Sequence, residues 1–171
     1  MEKNLLLNGY VEEVYLRLPF GTLLVGNDGS IFKATCAHLL APVINWYDDM
    51  TLAERSEEIK NTKMILFPKE CVAKSLSIGN ERVCPLMDLA FKLHKKTHGI
   101  QPEVSKLFFD DDLTIVTKDS KGGKGIVKQS ELLSFRYGME GLMTLLKFHI
   151  DINDRILHGL AVNAITNVNP Y

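Results

Sequence analysis

The sequence predicts an α+β fold: a single domain over residues 1–171, in which two β-hairpins are each followed by a helix and a C-terminal helical hairpin closes the chain. Three observations predict it. Gly26-Asn27-Asp28-Gly29 separates two short apolar runs, and Asp-Gly in that position is a strong hairpin signal because both central residues tolerate positive φ. A second pair of strand-like runs brackets the glycine- and lysine-rich loop at residues 119–125. Beyond it, Leu132, Phe135, Met139, Leu142 and Leu146 step by 3, 4, 3 and 4, the spacing of one face of an amphipathic helix.

In chain order, residues 11–18 (VEEVYLRL) alternate in the period-two manner of a half-buried strand, which Pro19 ends. The first hairpin pairs residues 22–25 with residues 31–34. Thr35 can cap a helix with Leu39, Leu40, Val43, Ile44 and Tyr47 inward, and Thr51 with Glu54 forms a capping box for a polar helix reaching about Asn61. Residues 63–67 read as a buried strand. Pro68 suits the first turn of a helix running through Leu76, and Pro85 opens the next, whose buried stripe is Leu86, Leu89, Ala90 and Leu93 and whose stop is Gly99. Lys95 and Lys96 sit well against its dipole. The second hairpin delivers the chain to Ser130, a cap for a helix to Phe148. Gly138 and Gly141 within that helix signal the close approach of another element. A turn at residues 151–153 leads to a last helix with Ile156, Leu157, Leu160 and Ala164 inward, before the polar ending NVNPY.

Composition bounds the possibilities. The chain is 46% hydrophobic and 24% charged, so neither wholesale disorder nor a membrane protein is expected. Its longest apolar runs fall far short of the roughly 20 residues of a membrane span. Met1-Glu2-Lys3-Asn4 leads into only three leucines, which is no secretory signal, so a cytoplasmic location is expected. A net charge of −1 excludes a wholly electrostatic nucleic-acid binder while allowing a local basic patch. Cys36, Cys71 and Cys84 have no metal-ligand spacing and read as packed thiols.

Several constellations could carry chemistry. His94 and His98 stand at i, i+4 on a helix, the spacing that turns two imidazoles to one metal; the alternative is a solvated last turn where cations are favoured. Asp110, Asp111 and Asp112 could supply oxygen ligands to a hard cation, although alternation along an extended stretch lets at most two point the same way. Asp119-Ser120-Lys121-Gly122-Gly123-Lys124-Gly125 is not a phosphate loop, because Lys124 is followed by Gly125 and a strand rather than by Ser or Thr and a helix. It is a hairpin tip that can reach an acidic surface through Lys118, Lys121, Gly122, Gly123, Lys124 and Lys128, or one whose lysines merely keep a sheet edge soluble. Cys36 with His38, Asp88 with His94 and Asp151 with His158 are weak pairings, and His149 and His158 read as core histidines of the helical hairpin.

The expectation is therefore a non-catalytic structural or adaptor subunit of a larger assembly, of which a viral particle is one example. It would dock other protein subunits through its termini and the Lys118 to Lys128 hairpin, with no cofactor and no membrane. The first alternative is a metal-dependent hydrolase or transferase using Asp110, Asp111 and Asp112 with His94 or His98. The second is contact of the basic hairpin tip with nucleic acid.

Overall fold

The computed structural model describes residues 2–34, 61–108, 112–166 and 171, of which 2–8, 11, 32 and 103–108 are described by their backbone alone. The fold is α+β. The chain divides into two compact units, residues 1–66 with 154–167 and residues 67–153 with 168–171.

The first unit opens on a helix, α1 (Glu2–Arg17), where alternation predicted a strand at residues 11–18. The buried residues explain the difference: Tyr10, Glu13, Val14 and Arg17 follow each other at helical spacing, while Leu16, which alternation would bury, is 58% exposed. Half of that stripe is charged, so its helical period is invisible to a reading that looks only for apolar residues. Glu13 and Arg17 are tolerated inside because they pair one turn apart. A 3-10 turn at Leu18–Phe20 follows, and the buried Thr22 hydroxyl donates to the Arg17 carbonyl at 2.9 Å, occupying one acceptor that the helix end leaves open.

The first hairpin forms as predicted. Strands β1 (Leu23–Val25) and β2 (Ile31–Lys33) pair antiparallel with Leu24 opposite Phe32, and the Asp28 carboxylate accepts from the Ser30 amide and hydroxyl across the turn. The predicted buried strand is β3 (Lys63–Leu66), antiparallel to β1. Its other neighbour is β9 (Ala161–Asn163), which runs parallel to β3 and completes the order β2-β1-β3-β9. Tyr10, Val14, Leu24, Ala34, Met64, Leu66 and Ala161 form the core of this unit. The two helices expected between Thr35 and Asn61 fall on residues 35–60, outside the described residues.

Strand β9 replaces the predicted last helix, so the C-terminal helical hairpin is not formed. Ile156, Leu157, Leu160 and Ala164 have helical spacing, but Asp154 and Gly159 take positive φ and Leu157 is 80% exposed. Main-chain bonding to a distant strand outweighs the local pattern here, as tertiary context commonly does.

In the second unit Phe67 bridges Ile150 in parallel. The helix predicted from Pro68 to Leu76 is only a 3-10 stretch, Lys69–Ala73, with Cys71 and Val72 buried. It gives way to a hairpin of β4 (Leu76–Ile78) and β5 (Glu81–Val83) around Gly79-Asn80, a two-residue turn signal that the helical reading passed over. Helix α2 (Pro85–His98) forms as predicted, with Leu86, Leu89 and Ala90 buried and Gly99 closing it onto the Lys95 carbonyl; His94 is buried as well. An antiparallel meander follows: β6 (Glu103–Phe108), which the sequence reading did not identify, then β7 (Thr114–Lys118) and β8 (Lys124–Lys128).

The helix predicted from Ser130 to Phe148 is broken. Helix α3 (Gln129–Leu133) ends in turns, and α4 (Gly138–Lys147) starts afresh, because Phe135 and Gly138 both take positive φ. Ser130 lies inside α3 and is not its cap. The Asp112 carboxylate supplies that function from outside the helix, accepting from the Ser130 amide at 3.0 Å and its hydroxyl at 2.8 Å. The expected close approach is present at Gly141, where an added Cβ would lie 3.1 Å from Tyr137 Cβ and 3.3 Å from Leu132 Cδ1. Among the described residues no helix is long and apolar enough to cross a membrane.

Candidate functional site

The second hairpin has two chemically distinct faces, and its register creates them. Lys118 pairs with Lys124, Val116 with Ile126 and Thr114 with Lys128, while Ile115 pairs with Val127 and Thr117 with Gly125. Side chains alternate along each strand, so the second set shares one face. Ile115, Thr117 and Val127 on that face are buried, at 3%, 1% and 3% exposure. The other face carries Lys118, Lys124 and Lys128 with Ile126, all exposed, and the tip adds exposed Lys121 and Gly122. In the neighbouring strand, Glu103 stands opposite Lys118.

A buried polar chain fixes this hairpin to α2. His94 Nδ1 lies 2.8 Å from Thr117 Oγ1, and His94 Nε2 lies 3.0 Å from Asp119 Oδ2. The imidazole has no exposed surface and the carboxylate almost none. Asp119 uses its second oxygen to gather the tip: Oδ1 accepts from the Lys121 amide at 2.8 Å and the Gly123 amide at 2.9 Å. The Asp119 amide in turn donates to the Gly123 carbonyl at 3.0 Å. Burial alone would push the Asp119 carboxyl up, but the His94 hydrogen bond and the Gly123 and Lys121 amides outweigh it and hold the group below the usual carboxylate range. The ionised carboxylate therefore accepts from His94 Nε2–H. At Nδ1 the Thr117 hydroxyl can donate to a neutral ring or accept from a charged one, with the Gly125 carbonyl 3.4 Å away as the second partner of that hydroxyl.

Two glycines make this approach possible. A Cβ on Gly125 would lie 2.7 Å from Thr117 Oγ1 and 3.2 Å from His94 Nδ1. One on Gly123 would collide with Asp119 Oδ2 and lie 2.9 Å from His98 Nδ1. Only an absent side chain lets the imidazole sit directly on the β8 backbone at Gly125 and the carboxylate on the tip backbone at Gly123. His98 completes the cluster on its exposed side, its ring 4.5 Å from that of His94 and its Nε2 3.4 Å from the Lys124 carbonyl.

An aspartate-oriented imidazole is the arrangement of a general base, yet here both ring nitrogens are engaged and the ring is sealed. It acts as a staple between helix and hairpin. Of the set proposed for a cation, Asp110, Asp112, His94 and His98, the three described members, Asp112, His94 and His98, are not brought together. His94 belongs to the staple, Asp112 caps α3, and extended chain of about 16 Å, at about 3.3 Å per residue, separates Asp112 from Thr117. Asp110 and Asp111 lie outside the described residues. Among the described residues no group of three or more His, Cys, Asp or Glu side chains is placed to hold a metal ion.

The weaker pairings fare as follows. Asp88 pairs with Lys92 at 2.5 Å and with Lys147 at 3.4 Å rather than with His94; His149 is buried as expected, whereas His158, expected in the core of a helical hairpin that does not form, is exposed. Cys36 and His38 lie outside the described residues. Cys71 is buried and Cys84 half-buried, both as free thiols, and burial pushes both up. Of the termini expected to reach partners, Tyr171 is seated on its own unit, stacked 4.3 Å from the His149 ring and 5.8 Å from that of Phe67.

Sequence reasoning singled out His94 and the tip lysines but missed Asp119 and Thr117 as partners of that histidine. The one local signal was Asp119 ahead of Lys121, which fits an Asx turn. No protein-family profile, curated protein or solved structure matches the chain. The fold and the site together describe an α+β protein with a stapled, lysine-faced hairpin.

Proposed function

We propose that this chain is a non-catalytic adaptor or structural subunit that docks a partner through the β7–β8 hairpin. The observation that carries the reading is the staple: a buried His94–Asp119 pair, with Asp119 also holding the tip amides, fixes in place a hairpin whose open face bears Lys118, Lys124 and Lys128. Lysines on an already ordered frame lose less conformational freedom on binding than lysines on a loose loop, so the arrangement favours recognition. An enzymatic role is less well supported, because the imidazole best placed to act as a base has no surface to offer a substrate. The free thiols of Cys71 and Cys84 suit the reducing cytoplasm.

Light scattering coupled to size-exclusion chromatography, with the wild-type chain and a variant carrying Lys118→Ala, Lys121→Ala, Lys124→Ala and Lys128→Ala as parallel baits, tests the reading. The wild-type chain should elute with a stoichiometric partner that the folded variant no longer retains. A partner held equally by both chains would sink it. Retention of nucleic acid in place of protein would transfer the same lysines to the other class of ligand.

A further inference from the structure

Among the described residues, the strand order β6-β7-β8 leaves β8 with a neighbour on one side only. The direction of its backbone groups follows from bonds at the two ends of the pairing, where the Asp119 amide donates to the Gly123 carbonyl and the Gln129 amide to the Leu113 carbonyl. Antiparallel pairs alternate between bonded and non-bonded. With the observed register, Gly125 and Val127 are the residues of β8 bonded to β7, while Lys124, Ile126 and Lys128 turn their N–H and C=O groups to the open side. Both ends of that edge are closed: the Lys128 amide donates to Tyr137 Oη at 2.9 Å, and the Lys124 carbonyl faces His98 Nε2. Between them stand the N–H and C=O of Ile126, whose side chain is 61% exposed.

We infer that this edge accepts an extended acidic segment of a partner protein as an added strand. The matching pattern is acid–x–apolar–x–acid, which sets carboxylates beside Lys128 and Lys124 and an apolar side chain over Ile126. The inference rests on the docking reading above and names its partner. Charge decides the occupant. Residues 124–128 read Lys-Gly-Ile-Val-Lys, so a second copy added antiparallel about Ile126 would set lysine against lysine at both ends, and like charges directly opposite disfavour pairing. Nucleic acid would meet the lysines but has no strand backbone to bond the edge, whereas an acidic strand satisfies both.

The probe is a short acetylated and amidated peptide with Glu-Thr-Val-Thr-Glu at its centre, titrated into the full chain and followed by calorimetry and amide NMR shifts. Three controls accompany it: the peptide N-methylated at valine, one with the glutamates moved to the flanks, and one with lysines for glutamates. Binding should be measurable below about 1 mM. N-methylation, the moved glutamates, or Lys124→Glu with Lys128→Glu should each weaken it at least tenfold, and the glutamate variant should now prefer the lysine peptide. Ile126→Pro, which removes an N–H that β7 does not use, should weaken binding while circular dichroism stays unchanged. Equal binding of the N-methylated or rearranged peptide overturns the added strand but leaves docking by charge intact. Binding of duplex DNA in place of every peptide overturns it in favour of nucleic acid. No binding of any acidic probe overturns both this inference and the reading beneath it.

Discussion

Gly125→Ala is the most informative single change in the staple. The new Cβ would lie 2.7 Å from Thr117 Oγ1, and that oxygen cannot swing aside without giving up its 2.8 Å contact with His94 Nδ1. Overpacking of this kind costs about 1–3 kcal/mol, against which replacing a strand glycine gains about 0.5–1 kcal/mol. The net expectation is a loss of up to about 2.5 kcal/mol, centred near ~1 kcal/mol, read as a lower urea midpoint at unchanged slope. The decisive step is the same substitution in a Thr117→Ala background. There the nearest obstacle is gone and only the 3.2 Å approach to His94 Nδ1 remains, so Gly125→Ala should become neutral or stabilising. The coupling between the two sites should be about 1 kcal/mol or more, well beyond the few tenths expected of independent positions. If Gly125→Ala costs the same with and without the threonine hydroxyl, the hairpin is not held as described.

Two further outcomes follow from the first unit. Glu13 accepts from Arg17 Nε and Nη2 at 3.1 and 2.7 Å and from Arg155 Nε at 3.0 Å, all three residues being buried, so Glu13→Ala should cost about 3–5 kcal/mol by leaving two guanidinium groups inside without their shared carboxylate. Urea unfolding measures it, and a cost below about 1 kcal/mol, the scale of an exposed pair, would refute the account. The Tyr10 phenol is pushed up to about 12, chiefly by burial, which outweighs the lowering influence of the Thr62 side chain and the Met64 main chain. A raised phenol favours the protonated folded state, so its contribution is full below the ordinary tyrosine value near 10 and is lost as pH rises through about 12. Two units correspond to about 2–3 kcal/mol. Tyr10→Phe should flatten that alkaline decline, and parallel curves for the two proteins would contradict it.

The amino-acid sequence alone determined what depends on neighbours in the chain. The Gly26 to Gly29 turn, the Pro85–His98 helix with its Gly99 stop, and the lysine-tipped hairpin form where local pattern placed them, because turn chemistry, capping and short-range periodicity act within a few residues. Tertiary structure decided whatever pairs residues far apart. Helix α1 was hidden because Glu13 and Arg17 occupy its buried stripe, and a charge reads as surface until its partner is known. Residues 161–163 became a strand because β3 offered them a parallel neighbour about a hundred residues earlier in the chain, a contact no local window contains. The site followed the same rule. His94, Thr117 and Asp119 lie 23 and 25 residues apart in sequence, and only the folding of the meander against α2 turned a histidine spaced for a metal into one half of a buried staple.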